Sequence, residues 1–176
     1  MQPAPKPKDF KPSSFVEGCL KAILHAPNEL AADLACGYGR HVRLLEKAGY
    51  FVLAIDLDIV ALRSIRKENP RTSLVCVDLR ASLPLKAGSL GLAVAVHFPI
   101  PDLIPLVATA LAPGGYAILE SVGGRGGNWQ ELPKKGEMRR RLSREFQILK
   151  LQEREVGPLD NDAVTVGAFV RRKRKV

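Results

Sequence analysis

The sequence predicts an α/β fold: a doubly wound, mostly parallel seven-stranded sheet with helices on both faces and a C-terminal antiparallel hairpin. Three observations lead to this prediction. Short apolar runs alternate with segments of helical periodicity along most of the chain. The apolar run at 30–35 ends in a glycine-bearing turn that passes directly into a helix, which is how an open α/β sheet forms a nucleotide-sized pocket. Two strand-like runs, 146–155 and 163–170, flank turn residues near the C-terminus.

Length and composition indicate one compact domain. The chain has 176 residues, of which 46% are hydrophobic and 26% charged, so a real core is expected. We expect a flexible basic tail at 1–12, a single domain at 13–171 and a basic C-terminal tail at 172–176. No apolar run reaches the roughly 18 residues of a membrane span, and the N-terminus resembles no signal peptide. We therefore expect a cytoplasmic protein without membrane contact.

Cysteine usage and charge give further expectations. Cys19, Cys36 and Cys76 are odd in number and lack C-x-x-C spacing, so we expect neither a disulfide framework nor a bound metal. The formal net charge of +9 is partly concentrated in the two tails. Either tail could contact nucleic acid weakly and non-specifically, or could simply be solvated. The sequence favours no particular oligomeric state.

The first element should be a helix at 13–26, because its apolar residues recur on one helical face. Ser13 or Ser14 can cap this helix, and Pro27 stops it. The first strand follows at 30–35, where the apolar run is too short for a second helix.

Two strand-helix units continue the sheet. A helix at 40–48 ends at Gly49, and the apolar run at 50–55 is the second strand. The helix at 59–67 mixes apolar and basic residues with a helical period, and a short buried strand follows at 73–77.

The second half repeats the pattern after a turn-rich connection. A fourth strand is predicted at 90–96 and a helix at 102–111, in which Pro105 is tolerable because it lies in the first turn. The fifth strand is predicted at 116–122 and a short basic helix at 136–142, before the terminal hairpin.

Polar residues lie at or near the ends of four successive strands. They are Asp33, Asp56, Asp78 and His97. A ligand of such a sheet lies outside the carboxyl ends of the strands, where the winding reverses. The carboxylate of Asp33, just before the glycine turn, suits a cationic amino group better than a pyrophosphate, which points to a sulfonium amino acid cofactor. The carboxylate of Asp56 can accept charge-assisted hydrogen bonds from two vicinal hydroxyls.

These motifs resemble the class I S-adenosylmethionine-dependent methyltransferases, and more narrowly the small tellurite-resistance and thiopurine-type members. The likeness covers residues 13–171. It implies S-adenosyl-L-methionine as the cofactor and a small-molecule methyl acceptor. The class-level likeness is carried by DLACGYGR at 33–40, AIDLD at 54–58, VDL at 77–79 and LAPGGY at 111–116, and the narrower one by KKGEM at 134–138 with the hairpin that follows.

The resemblance also implies roles for individual residues. Asp56 would bind the ribose hydroxyls, Asp78 and the Leu79 amide would meet the adenine, and the loop at 37–39 would pack on the methionine part. Structural alternatives are a helix cap for Asp56, a turn residue for Asp78 and a cover over the turn for Tyr38. The residues expected to contact the cofactor are Asp33, Ala35, Cys36, Gly37, Tyr38, Gly39, Arg40, Asp56, Leu57, Asp78, Leu79, His97 and Phe98.

His97 is the candidate catalytic residue, because the fourth strand of this fold ends beside the transferable methyl group. The alternative is a hydrogen-bonded boundary residue. Methyl transfer from a sulfonium is an in-line displacement, and positioning can supply most of the acceleration. A general base is needed only for a weakly acidic hydroxyl or amine acceptor.

The acceptor is predicted to be small. Residues 97–100 read His-Phe-Pro-Ile rather than the [DN]-P-P-[YF] of enzymes that methylate amino groups of nucleic acids, and the chain has no Pro-Cys pair for cytosine-C5 chemistry. The glycine-rich loop at 123–133 is either a lid or a packed turn. As a lid it would dock Trp129 beside the acceptor, with Arg125 available to neutralise an anionic acceptor.

Two other classes of protein share features of this sequence. A nicotinamide-dependent oxidoreductase would need a glycine where Val42 stands to complete G-x-G-x-x-G, so this class is disfavoured. A non-catalytic or nucleic-acid-associated module of the same fold would account for the basic tails.

Overall fold

The computed structural model describes residues 11–23, 29–68, 72–98, 100–121, 131–157 and 162–174. The elements in chain order are α1 (Ser14–Leu20), β1 (Leu30–Leu34), α2 (Val42–Lys47), β2 (Phe51–Asp56), α3 (Ile59–Glu68), β3 (Ser73–Cys76), β4 (Leu90–Val96), α4 (Ile100–Ala110), β5 (Leu111–Ser121), α5 (Glu137–Glu145), β6 (Phe146–Glu155) and β7 (Val164–Arg172).

The strands form one sheet in the order β3-β2-β1-β4-β5-β7-β6. Neighbouring strands from β3 to β5 pair in parallel, and β7 runs antiparallel to both β5 and β6. This confirms the predicted mostly parallel, seven-stranded sheet with a C-terminal antiparallel hairpin. The winding reverses between β1 and β4, since β2 and β3 lie on one side of β1 and the later strands on the other. A crevice therefore opens at the carboxyl ends of β1 and β4.

Two apolar layers cover the two faces of the sheet. On one face, side chains of α1, α2 and α3 such as Val16, Leu45 and Leu62 pack against the strands. On the other face, α4 and α5 supply Leu103 and Leu142 among others. Both predicted helical layers are present, and the central strands β1 and β4 between them are buried on both sides.

Helix α1 begins as predicted but is shorter. The Ser13 hydroxyl accepts hydrogen bonds from the backbone N–H groups of Phe15 and Val16 at 3.2 and 3.4 Å, so Ser13 rather than Ser14 is the N-cap. After Leu20 the backbone tightens, because the Ile23 N–H bonds the carbonyl three residues earlier, at 3.2 Å. Residues 24–26 of the predicted helix lie outside the described residues.

The prediction that Pro105 lies in the first turn of its helix is wrong. Helix α4 starts at Ile100, two residues earlier than the predicted 102–111, so Pro105 lies in the second turn. Without an N–H, Pro105 cannot donate to the carbonyl of Pro101. The helix accommodates this one missing hydrogen bond, and the Thr109 hydroxyl donates to the Pro105 carbonyl at 3.0 Å.

Strand β5 also begins earlier than predicted. Leu111, expected at the end of the preceding helix, pairs with Leu90, and the register then shifts so that Leu92 faces Tyr116. Gly115 makes this irregularity possible, because a Cβ there would lie 3.1 Å from the carbonyl oxygen of Leu90. Residue 122, the predicted last residue of this strand, lies outside the described residues.

The C-terminal elements extend further than predicted. Helix α5 continues to Glu145 from its start after Gly136, whose φ of 75° only glycine adopts easily. Strand β7 continues through Arg172, which the sequence places in a solvated tail. Arg172 pairs with Glu145, and the Lys173 ammonium donates to the Ser143 carbonyl at 2.6 Å. The other predicted boundaries agree with the structure to within two residues.

Among the described residues, no helix is both long and apolar enough to cross a membrane.

Substitution of Gly39 tests the packing of the glycine turn against α3. Gly39 has a φ of +76°, and an added Cβ would lie 2.8 Å from Cγ1 of Ile65. We expect Gly39→Ala to lower the free energy of unfolding by about 1–3 kcal/mol, the usual cost of overpacking. Urea unfolding measures this. Gly88→Ala is the control, because Gly88 has a similar φ of +71° but no atom within 4 Å of the added Cβ; equal losses in both variants would contradict the packing argument.

Candidate active site

A cavity of about 300 Å³ opens where the winding of the sheet reverses. Its walls come from the turn after β1 and from the end of β4. Its position is the one predicted for a ligand. The lining residues are Ala35, Cys36, Gly37, Tyr38, Arg40, His41, Val96 and His97.

Two non-glycine residues at this cavity have left-handed backbones. Ala35 follows β1 with a φ of 54°, and His97 follows β4 with a φ of 65°. This region is uncommon for residues with a Cβ and marks functional positions when the surrounding structure enforces it. The His97 N–H donates to the carbonyl of Glu120 at 3.0 Å, which fixes the backbone of His97 against β5.

Asp56 joins the end of β2 to the glycine turn. Its Oδ2 accepts from the Gly37 N–H at 2.7 Å, and its Oδ1 accepts from the Asp58 N–H at 2.9 Å. Gly37 has a φ of +52°, and a Cβ added there would meet no atom within 4 Å, so the turn faces open space. Each carboxylate oxygen has a second lone pair, so Asp56 can still accept hydrogen bonds from a ligand.

Asp56 does not cap α3, so the structure does not support the helix-cap alternative for this residue. Asp58 caps α3 instead, since its Oδ1 accepts from the N–H groups of Val60 at 2.8 Å and Ala61 at 3.2 Å. For Asp78 the turn role is present, because its Oδ1 accepts from the Arg80 N–H at 2.9 Å. The ends of β2 and β3 lie together, with the Val77 N–H donating to the Asp56 carbonyl at 3.0 Å.

Asp33 is buried directly below the glycine turn, with 1% of its surface exposed. Burial raises the pKa of its carboxyl to about 7. Its Oδ2 has no hydrogen-bond partner within the described part of the chain, and its Oδ1 lies 3.9 Å from Nδ1 of His41. A buried carboxylate oxygen without a donor is costly, so this site is suited to receive one.

His41 is a site residue that the sequence reasoning missed. It lines the cavity, and burial lowers the pKa of its imidazole to about 3, so the ring is neutral. Its Nε2 accepts from the Ser13 N–H at 3.1 Å, which places the ring proton on Nδ1, the atom that faces Asp33. His41 directly follows the glycine motif, but no sequence pattern indicates that α1 begins against it.

Glu120 was missed as well. It is the one acidic residue of β5 before Ser121, and it repeats the signal of a polar residue near the end of an apolar strand. Its carboxyl group is hydrogen-bonded to the Ser13 side chain, and burial raises its pKa. Its Oε2 is buried and has no hydrogen-bond partner among the residues that the structure describes.

The structure brings together most of the predicted site residues, but not all. Gly39 packs beneath α3, and Leu79 is buried in the core, as is part of Phe98. Leu57, in contrast, is 64% exposed beside Asp56. Arg125, Trp129 and most of the 123–133 loop lie outside the described residues. In the part of the chain that the structure describes, no group of three or more His, Cys, Asp or Glu residues could hold a metal ion.

Comparison with known proteins places this architecture in a class. A family model described as a methyltransferase domain matches residues 31–115. No curated protein matches the chain. A SAM-dependent methyltransferase from Methanosarcina mazei has a similar structure, with a TM-score of 0.68 and 15% identity over 94% of this chain and 100% of its own.

Two further solved structures are similar. A TehB-like SAM-dependent methyltransferase from Corynebacterium glutamicum gives a TM-score of 0.66 and 19% identity, over 92% of this chain and 89% of its own. The [4+2]-cyclase SpnF gives a TM-score of 0.71 and 16% identity, over 89% of this chain and 79% of its own. At these identities the structures establish the fold alone.

Residues 31–115 thus match a methyltransferase domain, and the fold is that of the class I methyltransferases. The cofactor of this class is S-adenosylmethionine, which confirms the predicted resemblance and cofactor. The residues present fit this cofactor. The orphaned Oδ2 of buried Asp33 suits its ammonium group, and the open space at Gly37 leaves room beside the turn.

The raised pKa of Asp33 predicts a pH dependence of stability. The folded-state pKa of about 7 lies above the ordinary aspartate pKa of 3.8, so the folded protein holds a proton that the unfolded chain releases. This contribution to stability is complete below about pH 4 and is lost as the pH rises to about 7, by up to about 1.4 kcal/mol per pH unit. Urea unfolding from pH 4 to 8 measures it. Asp33→Asn should remove that component, and identical pH profiles for both proteins would contradict the assignment.

Proposed function

We propose that this protein is an S-adenosylmethionine-dependent methyltransferase that transfers a methyl group to a small-molecule acceptor. The observation that carries the proposal is the Gly37 N–H bonded to the Asp56 carboxylate at 2.7 Å. It joins the glycine turn and the acidic strand end into one unit at the reversal of winding. That unit lies where open α/β sheets bind their ligands.

The chain's own residues would hold the cofactor as follows. Asp33 would receive the ammonium group, Asp56 the ribose hydroxyls, and Asp78 with the Leu79 amide the adenine. The exposed Leu57 side chain is free to cover the base. The oxygens of Asp56 already accept backbone N–H groups, so their positions are fixed before a ligand arrives. The bound cofactor supplies an electrophilic methyl group on a sulfonium centre.

His97 and Phe98 are proposed to adjoin the transferable methyl group. The left-handed backbone of His97 and its hydrogen bond to Glu120 hold this segment at the end of β4. Their contribution is to orient the acceptor and exclude water, since orientation supplies most of the acceleration in such displacements. Proton removal by His97 is needed only for an acceptor that must lose a proton.

A small acceptor is favoured because the chain devotes few residues to anything beyond the sheet and its helices. The longest stretches between the named elements are 77–89 and 122–136. Neither is long enough to form a separate substrate domain.

Calorimetry and a methyl-transfer screen test this function together. The protein is titrated with S-adenosylhomocysteine, and with NAD for comparison. Transfer of labelled methyl groups to small thiols, oxyanions and amines is then measured. Binding of the nucleoside with transfer to one acceptor class supports the proposal. Binding without transfer to any acceptor would instead favour a non-catalytic module, and tight binding of NAD would contradict the proposal.

Asp56→Ala tests the proposed ribose contact. We expect it to weaken S-adenosylhomocysteine binding by about 2–3 kcal/mol, which is a loss of about 30- to 150-fold in affinity, because charge-assisted hydrogen bonds are lost. Calorimetry measures the affinity. The matched control is Asp58→Ala, which removes the cap of α3. The control should cost about 1 kcal/mol of folding stability and leave the affinity nearly unchanged. Equal affinities of wild type and Asp56→Ala would refute the contact.

A further inference from the structure

A second cavity lies on the same edge of the sheet as the cofactor cavity. It has a volume of about 530 Å³ and is formed where α1 crosses the ends of β5, β7 and β6. Phe15 enters from α1, and Glu120 lies at the end of β5. Gln152 of β6 and Thr165 and Gly167 of β7 complete the polar and backbone walls.

The two cavities share a wall. The His97 N–H donates to the Glu120 carbonyl at 3.0 Å, and His97 lines the cofactor cavity. The Ser13 side chain bonds the Glu120 carboxyl group, while the Ser13 N–H donates to Nε2 of His41 at 3.1 Å. Glu120 therefore contacts His97, which lines the cofactor cavity, and Ser13, which bonds the cavity residue His41. A ligand in the second cavity would lie across Glu120 and His97 from the cofactor cavity.

Glu120 has an oxygen to offer such a ligand. Its Oε2 is buried and, among the described residues, has no hydrogen-bond partner. A buried oxygen in this state costs free energy that a donor would recover. Burial also raises the pKa of the carboxyl group, in spite of the Ser13 hydrogen bond and the charge of Arg40. Both features favour a ligand that donates an N–H to Glu120.

Phe15 forms the aromatic wall of this cavity. A Cβ at Gly167 would lie 3.0 Å from Cε2 of Phe15, so the glycine lets the ring pack directly on β7. The Lys150 ammonium lies 5.3 Å from the centroid of the same ring, which is a cation-π contact. Arg154 at the rim is exposed, and Glu153 accepts the Gly136 N–H at 3.1 Å. Gly167 and Lys150 thus already cover the ring, and the Glu120 carboxylate is the group that selects for a positively charged or N–H-bearing ligand.

We propose that this second cavity binds the methyl acceptor and that the acceptor is a small amine, held by donation of its N–H to Glu120. The proposal rests on the proposed function and names the substrate class of that reaction. Transfer to the amine forms a C–N bond with the nitrogen lone pair. The electron pair of the broken C–S bond stays on sulfur, and the proton released from nitrogen passes to Oε2 of Glu120.

Binding of matched probes to the full-length protein tests the proposal. Benzylamine, benzyl alcohol and benzoate have the same ring and differ in the group that would meet Glu120. Their affinities are measured by NMR titration in the presence of saturating S-adenosylhomocysteine. We expect benzylamine to bind at least about tenfold more tightly than the other two, the range for one charge-assisted hydrogen bond.

Three variants test which side chain produces the preference for benzylamine. Glu120→Gln should lower benzylamine affinity by about tenfold, with little effect on benzyl alcohol. Glu17→Gln is the control, because Glu17 is an exposed carboxylate of α1 outside the cavity; it should change nothing. Phe15→Leu keeps the carboxylate and removes the aromatic wall, and should weaken the binding of all three probes alike, because they share the ring that packs against this wall. Affinity for S-adenosylhomocysteine, measured for each variant, reports an intact fold.

The outcomes separate the two proposals. S-adenosylhomocysteine binding with no preference for benzylamine overturns the amine site and leaves the proposed function standing. A preference that survives Glu120→Gln in a folded variant also overturns it. Absence of S-adenosylhomocysteine binding to the wild type overturns the proposed function, and with it the assignment of this cavity to a methyl acceptor.

Discussion

The hydrogen bond between the Gly37 N–H and the Asp56 carboxylate is the interaction on which the site depends. Parallel pairing aligns Leu34 with Ile55, and the Cys36 N–H continues the ladder to the Ile55 carbonyl at 3.1 Å. The next residue in each chain segment is then Gly37 on one side and Asp56 on the other. The sheet register therefore brings the donor and the acceptor together, and their hydrogen bond fixes the shape of the turn.

Much of the fold follows from local pattern. The strand at Leu90–Val96 and the strand at Phe146–Glu155 have the bounds that their apolar runs predict, because each run is closed by residues that cannot continue a strand comfortably. The start of α4 could not be predicted in this way. Pro101 and Pro105 both fit a first helical turn by their φ, and only the packing of Leu103 and Val107 decides between them.

The sequence predicts those site residues that follow the end of an apolar strand. The acidic residues after β2 and β3 and the glycine turn have sequence signals, because each follows an apolar run. The contributions of Ser13 and His41 have no such signal, and the strand-end signal of Glu120 does not indicate its partners. They come from three distant parts of the chain, and their contact exists only because α1 packs across the carboxyl edge of the sheet. Long-range placement of this kind requires the tertiary structure.

The double attachment of Ser13 has a consequence for cooperativity. Helix α1 has seven residues, far fewer than an isolated helix needs to persist in water. Its first N–H groups are satisfied by Ser13, and Ser13 is in turn held by a histidine after β1 and a carboxyl group at the end of β5. The helix and the pocket walls are therefore ordered as one unit. Amide hydrogen exchange in α1 should consequently follow the opening of the pocket rather than the fraying of a helix terminus.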